Sequence, residues 1–152
     1  MTTLWIDADA CPVKAEALRT ALRHGARVVL VSNGGIRPSL YPGAEVVVAH
    51  QGPDEADKRI AEGCRPGDVV VTADIPLAAR AVAAGAVVVK PDGGRLDDRN
   101  VREALAARDL AADLRAADPF RMGGGRPFSS RDRSRFLDAL DRALRSPGGG
   151  AR

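Results

Sequence analysis

Residues 68–90, DVVVTADIPLAARAVAAGAVVVK, contain a complete strand, turn, helix and strand, and this stretch decides the fold. Residues 69–71 are consecutive valines, which is typical of a strand buried on both faces of a sheet. Pro76 suits the first turn of the helix, and Gly85 marks its end ahead of a second apolar strand at residues 86–89. Because the crossover between two parallel strands is almost always right-handed, the stretch predicts a right-handed βαβ unit in a parallel sheet.

Asp74 follows the first of these strands at its carboxyl end. Ligands of open parallel sheets bind beyond the carboxyl ends of the strands, so Asp74 is a candidate site residue. An Asp immediately before a helix is also a common N-cap, and the residues leave both interpretations open.

The composition predicts one domain. The chain has 152 residues, 45% of them hydrophobic, which is enough for one core and too short for two ordinary domains. We expect the domain to cover residues 1–146 and the glycine-rich residues 147–152 to be a disordered tail. Two cysteines are too few for a disulfide framework, and neither a leader segment nor a long apolar segment is evident. The expectation is a soluble, cytoplasmic protein without a membrane partner.

The other elements follow from apolar runs bounded by Gly, Pro and Asp. Strands are expected at residues 2–6, 27–31 and 45–49. Helices are expected at residues 13–24, from about 54 to 63, from about 99, at 109–116 and at 131–145. Ser129 and Asp132 resemble a capping box at the start of the last helix. With the central unit, these elements predict a three-layer α/β domain with a mainly parallel sheet and carboxyl-terminal helices.

Two acidic pairs occur where strands meet helices. Asp7 and Asp9 are two residues apart, and on an extended segment both carboxylates would share one face, where a cation would offset their repulsion. The alternative is that Asp9 caps the following helix and Asp7 is solvated. Asp54 and Asp57 lie one turn apart at the start of another helix, where capping and the helix dipole are an alternative explanation.

On a parallel sheet, Asp7, Asp9, Asp57 and Asp74 all fall at the carboxyl ends of strands or at the helix starts that follow. Clustered carboxylates without histidine favour Mg²⁺ or Mn²⁺ over Zn²⁺, and both histidines lie outside the acidic turns. A metal site of this kind activates water and stabilises charge on a phosphoryl group. The constellation therefore predicts phosphodiester cleavage.

Basic residues gather in the last part of the chain. The net charge is +3, but residues 121–152 hold eight Arg and three Asp, so the rest of the chain carries a net charge of −2. Arg126, Arg131 and Arg133 surround the start of the last helix and are candidates for holding the phosphates of RNA. A solvated helix face explains them equally well.

Several segments resemble the YaiI/YqxD family of bacterial proteins. They are DADACP (7–12), GPDEAD (52–57), GDVVVTADIPLAARA (67–81), ARDL (107–110) and GGGRPFSSRDRSRF (123–136). The resemblance covers nearly the whole chain. The family has no established biochemical activity, but it is similar to the PIN-like domains, a Rossmann-like fold of metal-dependent nucleases.

The resemblance implies specific roles for the acidic residues. Asp7, Asp57 and Asp74 take metal-ligand positions, with Asp9 and Asp54 as auxiliary ligands. The implied activity is a Mg²⁺- or Mn²⁺-dependent nuclease, with RNA as the expected substrate. Two positions depart from the family pattern. Lys58 stands where a polar uncharged or acidic residue is usual and is expected to weaken a second metal site, and Met122 replaces a common Thr and its hydroxyl contact.

Two other functions stay open. An apolar strand followed by Asp7 and Asp9 resembles the nucleophile and acid pair of haloacid-dehalogenase-like phosphatases, although Cys11 replaces the usual Thr or Val. A non-catalytic RNA-binding or adaptor module is the other alternative, and the five aromatic residues offer little for reading bases.

Cys11 and Asn33 each have two interpretations. Cys11 precedes a helix and is either a reactive thiol or a small buried side chain. Asn33 follows the second strand and either lines a substrate pocket or forms a turn.

Overall fold

The computed structural model describes residues 2–49, 54–117 and 127–145, which form six strands and five α-helices. The strands are β1 (Thr3–Asp7), β2 (Arg27–Ser32), β3 (Glu45–Val48), β4 (Val69–Val71), β5 (Val87–Val89) and β6 (Arg95–Leu96). The helices are α1 (Lys14–Arg23), α2 (Glu55–Gly63), α3 (Ile75–Ala83), α4 (Val101–Ala117) and α5 (Ser130–Arg145). Within these ranges no helix combines the length and apolarity needed to cross a membrane. The expected tail at residues 147–152 lies outside the described residues.

The strands form one sheet in the order β3-β2-β1-β4-β5-β6. Neighbouring strands are parallel except β5 and β6, which are antiparallel. From β1 the chain builds outward through β2 and β3, and it then returns to the other side of β1 to add β4 and β5. The gap between the carboxyl ends of β1 and β4 is therefore the topological switch point, where open α/β sheets bind ligands. The predicted α/β domain with a mainly parallel sheet is confirmed.

Helices cover both faces of the sheet and complete three layers. Helices α1 and α5 pack on one face, against Leu4 and Ile6. Helices α2, α3 and α4 lie on the other face, with Val70 and Val88. Successive side chains of a strand point to opposite faces, so the valines of β4 enter both cores, and this is why the strand reads as a continuous apolar run.

The capping box of α5 is confirmed. The backbone N–H of Ser129 donates to Oδ2 of Asp132 at 3.0 Å, and the N–H of Asp132 donates to Oγ of Ser129 at 3.2 Å. Phe136 and Leu140 are fully buried against the sheet, and truncating a buried Phe to Ala typically costs about 3–5 kcal/mol. These contacts hold the start of α5 near Ala73, at the carboxyl edge of the sheet.

Two details of the prediction are wrong. The two helices expected from about residue 99 and at 109–116 are one continuous α4, because neither Gly nor Pro interrupts this alanine-rich segment. Strand β6 was not expected, since two residues are too few to show a periodic pattern. The turn at residues 91–94 connects it to β5, and Gly93 adopts a φ of +95° that favours glycine there.

Candidate functional site

Asp7 is the last residue of β1 and lies at the switch point. The alternation of β1 places it on the face that carries Trp5 and helices α2 and α3. Its side chain is 7% exposed, and Thr72, which follows β4, donates a hydrogen bond from Oγ1 to Oδ2 of Asp7 at 2.9 Å. Burial raises the pKa of Asp7 above its ordinary value, the Thr72 hydrogen bond opposes this, and the negative charges of Asp9 and Asp74 add to the rise.

Asp74 is the N-cap of α3, so the capping interpretation of this residue is confirmed. Its Oδ1 accepts a hydrogen bond from the backbone N–H of Leu77 at 2.9 Å, and its own N–H donates to Oγ1 of Thr72 at 3.0 Å. This capping bond uses only one carboxylate oxygen. Capping and cation binding by Asp74 are therefore compatible.

Asp57 lies in the first turn of α2, beside Asp74. Several effects raise its pKa to about 6, and burial is the largest of them. The negative charges of Asp74 and Asp7 come next, followed by a hydrogen bond between the carboxyl groups of Asp57 and Asp74 and by the charge of Asp54. Three carboxylates from three separate elements thus repel one another at the switch point, and a bound cation would relieve that repulsion.

The donor set suits a small hard cation held by few protein ligands. In the part of the chain that the structure describes, no three His, Cys, Asp or Glu side chains are arranged so that they could enclose a metal ion. Mg²⁺ does not require such a cage, since it commonly binds through one or two carboxylates and fills its other positions with water and phosphate oxygens. Asp57 and Asp74 offer the carboxylate oxygens for such a site, and Asp7 is close enough to influence the charges of both.

Asp9 is close enough for its charge to add to the raised pKa of Asp7, but its side chain is held by the turn after β2. Residues 8–10 form a 3-10 turn, so the expectation that Asp7 and Asp9 share one face of an extended segment is wrong. Asp9 instead accepts hydrogen bonds from Oγ of Ser32 at 2.8 Å and from the backbone N–H of Asn33 at 2.9 Å. The alternative that Asp9 caps the next helix is also wrong, because Val13 occupies the cap position of α1. Asp9 fixes the turn after β2.

Asp54 and Lys58 lie at the exposed start of α2. Asp54 occupies the N-cap position of α2, as the capping alternative predicted, but its side chain makes no capping hydrogen bond with the described residues. Its charge still contributes to the raised pKa of Asp57. Lys58 forms an ion pair with Glu55 at 3.7 Å, and both belong to the surface of the helix.

The residues predicted to bind substrate are dispersed. Asn33 is exposed, and its backbone is held by Asp9. Arg133 forms an ion pair with Glu16 of α1 at 3.0 Å, and Arg131 is exposed on the first turn of α5. Arg126 lies outside the described residues, as do His50 and Met122.

Two residues near the sheet ends were missed by sequence reasoning. Thr72 links Asp7 to Asp74 through hydrogen bonds of its hydroxyl group. The only sequence feature that could have indicated this role is a hydroxyl residue two positions before an N-cap Asp. Asp68 is buried at the opposite edge of the sheet and accepts hydrogen bonds from the backbone N–H groups of Thr3 and Arg65 and from the indole of Trp5. Asp68 therefore has a structural role away from the acidic cluster.

Cys11 is a small buried side chain, which was one of the two interpretations of its sequence position. Burial raises the pKa of its thiol to about 11, above the ordinary value of 9.0. A thiol with a raised pKa is a poor nucleophile at neutral pH, so the reactive-thiol interpretation is wrong.

A three-layer α/β domain with acidic residues at the switch point of its sheet defines the class of this protein. The chain belongs to the YaiI/YqxD family, because the family model described as "Uncharacterized BCR, YaiI/YqxD family" matches residues 5–146. The predicted family is thereby confirmed.

Similar proteins occur in several bacteria. The chain is 67% identical over 152 residues to a UPF0178 protein of Cereibacter sphaeroides, a match that covers 100% of the chain and 94% of that protein. A UPF0178 protein of Roseobacter denitrificans is 60% identical over 145 residues, covering 95% of the chain and 96% of that protein. One from Rhodopseudomonas palustris is 50% identical over 145 residues, with 95% and 91% covered. No solved structure matches the chain significantly.

Proposed function

We propose that the protein is a divalent-metal-dependent nuclease that cleaves RNA, with Asp7, Asp57 and Asp74 as its catalytic set. The observation that carries the proposal is the gathering of these side chains, from β1, α2 and the start of α3, at the switch point of the sheet. The charge of Asp74 and a hydrogen bond between the two carboxyl groups both help to raise the pKa of Asp57. Without a cation or a proton between them, such a pair is destabilising.

Each acidic residue has a distinct part in this proposal. Asp57 and Asp74 would hold Mg²⁺ or Mn²⁺, and Asp7 would add negative charge beside them. When bound, the ion lowers the pKa of a water molecule and stabilises charge on the phosphoryl group. Asp74 is oriented beforehand by its hydrogen bond from Leu77 and by the contact of its N–H with Thr72. No protein nucleophile is needed.

One observation favours a second candidate, an RNA-binding module without catalysis. The described residues lack a preformed three-ligand cage, and the raised pKa of Asp57 would allow a proton to neutralise the pair in place of a metal. The phosphatase alternative has less support. Asp9 is held at the turn after β2, and Asp68 lies at the amino end of β4, at the edge away from Asp7.

The test is a cleavage assay with end-labelled single-stranded RNA and a small aryl phosphate, each with Mn²⁺, Mg²⁺ or chelator. We expect RNA cleavage with either metal and none with chelator. Asp74→Asn retains a capping side chain but loses the charge, so it separates folding from catalysis, and we expect a loss of at least about 100-fold. Asp98→Asn, an exposed acidic residue before α4, is the matched control.

Each alternative has its own outcome in this assay. Turnover of the aryl phosphate with phosphate trapped on Asp7 would replace the nuclease by the phosphatase. RNA binding without turnover, across single-stranded and structured RNAs, would leave the non-catalytic module.

A further inference from the structure

A cavity of about 410 Å³ opens beside the acidic cluster. Its walls come from the turn after β1, the turn after β4, the residues that follow β5 and the start of α5. Ala73 lines the cavity and immediately precedes Asp74, so the cavity and the acidic cluster share one turn. A cavity of this size is in the range of small-molecule binding sites and can receive a nucleotide.

Lys90 supplies positive charge to the cavity. It directly follows β5 and is half-buried, and its ammonium group has neither a hydrogen bond nor an ion pair with the residues that the structure describes. A partly desolvated ammonium with no partner among the described residues is available for an anionic group of a ligand.

Phe128 places an aromatic ring in the wall of the same cavity, with 37% of the residue exposed. An apolar residue just before an N-cap is usually explained by a hydrophobic staple, in which it packs against the fourth residue of the helix. Here the N-cap is Ser129 and that fourth residue is Arg133, whose guanidinium pairs with Glu16. The residue at the staple position is therefore charged rather than apolar.

The charges in the cavity favour a ligand with one anionic end. Asp92 also lines the cavity, so a compact polyanion would meet repulsion on that side. A nucleotide combines one phosphate, which matches Lys90, with a flat base, which matches the ring of Phe128. The amino groups of a base can also donate hydrogen bonds to carboxylates.

We infer that this cavity receives one unstacked nucleotide of a single-stranded RNA, with its base against Phe128 and its phosphate at Lys90. The inference rests on the proposed nuclease function and deepens it by defining the substrate as single-stranded. A paired base cannot enter, because it remains stacked within the duplex, whereas single-strand binders hold splayed bases on aromatic side chains.

The test measures binding of a short fluorescent single-stranded RNA by anisotropy, in chelator so that the RNA stays intact. Phe128→Ala is expected to weaken binding about 5- to 150-fold, the range for a lost base stack, without changing the salt dependence. Phe128→Tyr, which keeps a stacking ring, is expected to bind like the parent. Lys90→Gln is expected to reduce the slope of log K against log salt by about 0.7, the value for one phosphate of a single strand.

Two controls distinguish binding in this cavity from a general effect of charge and from a loss of folding. Lys58→Gln removes an exposed lysine from α2 and is expected to leave the slope unchanged. Melting temperatures verify that each variant is folded. Equal affinity of folded Phe128→Ala and parent, or equal affinity for single-stranded RNA and its duplex, would overturn the inference.

The two proposals can fail separately. RNA binding that depends on Phe128 and Lys90, without any cleavage in metal, would support the cavity and refute the nuclease. Cleavage that depends on Asp74, with binding insensitive to Phe128→Ala and Lys90→Gln, would refute the cavity and retain the nuclease.

Discussion

Asp57→Asn is expected to stabilise the metal-free protein at pH 8, and the gain should disappear as the pH falls towards 4. Burial, followed by the charges of Asp74 and Asp7, raises the pKa of Asp57 from 3.8 to about 6. The native state therefore holds this proton more tightly than the unfolded chain does. The associated stability is fully present below about pH 4 and is lost as the pH rises through about 6. Asn cannot ionise and avoids that loss.

The size of the effect follows from the pKa. A rise from 3.8 to about 6 corresponds to about 3 kcal/mol if all of it appears as stability. Because Asp57 is partly open to solvent, screening reduces this figure, and we expect a gain of about 1–2 kcal/mol at pH 8.

The assay is urea unfolding in chelator at pH 8 and at pH 4.5, for the parent, Asp57→Asn and a control. Glu62→Gln removes the same charge from an exposed position on the same helix, and it should change the free energy of unfolding by less than about 0.5 kcal/mol at either pH. A gain for Asp57→Asn that is equal at both pH values, or a loss at pH 8, would refute the electrostatic account of the cluster.

Three further predictions concern the rest of the fold and its ligand. Gly63→Ala should lower the free energy of urea unfolding by about 1–3 kcal/mol, because the added Cβ collides with the indole of Trp5; a stabilised variant would contradict this packing. Asp68→Asn should cost about 2–4 kcal/mol in the same assay, since three donors converge on its carboxylate and an amide cannot accept all of them; an unchanged stability would contradict that role. Mn²⁺ at 100 times its Kd should raise the melting temperature by about 5–10 °C in the parent but not in Asp74→Asn; a parent unmoved relative to Ca²⁺ and salt controls would count against the metal site.

Most of the fold could be predicted because its elements end at residues with strong local preferences. The valine run at residues 69–71 predicted a strand, and Gly85 predicted the end of the helix that follows it. The structure has β4 at Val69–Val71 and α3 at Ile75–Ala83, in agreement with both predictions. The position of Asp7 and Asp74 at the carboxyl edge follows from the parallel sheet alone. By contrast, α4 contains neither Gly nor Pro, so its predicted interruption had no local cause.

Details that depend on distant segments could not be predicted. Asp9 turns towards Ser32 because residues 8–10 form a tight turn, and nothing near Asp9 in the chain indicates that partner. The three donors that converge on Asp68 come from two segments, and the two donors from β1 are more than 60 residues away in the chain. The pairing of Phe128 with Lys90 in one cavity likewise arises only when α5 packs beside the end of β5.

The central claim, that the carboxylates at the switch point hold one small hard cation, is tested most directly by anomalous diffraction from a crystal soaked in Mn²⁺. We predict a peak at coordination distance, about 2.1 Å, from carboxylate oxygens of Asp57 and Asp74, and its absence from crystals of Asp74→Asn. A soaked parent crystal with no peak at these carboxylates, or with Mn²⁺ bound only elsewhere, would contradict the claim.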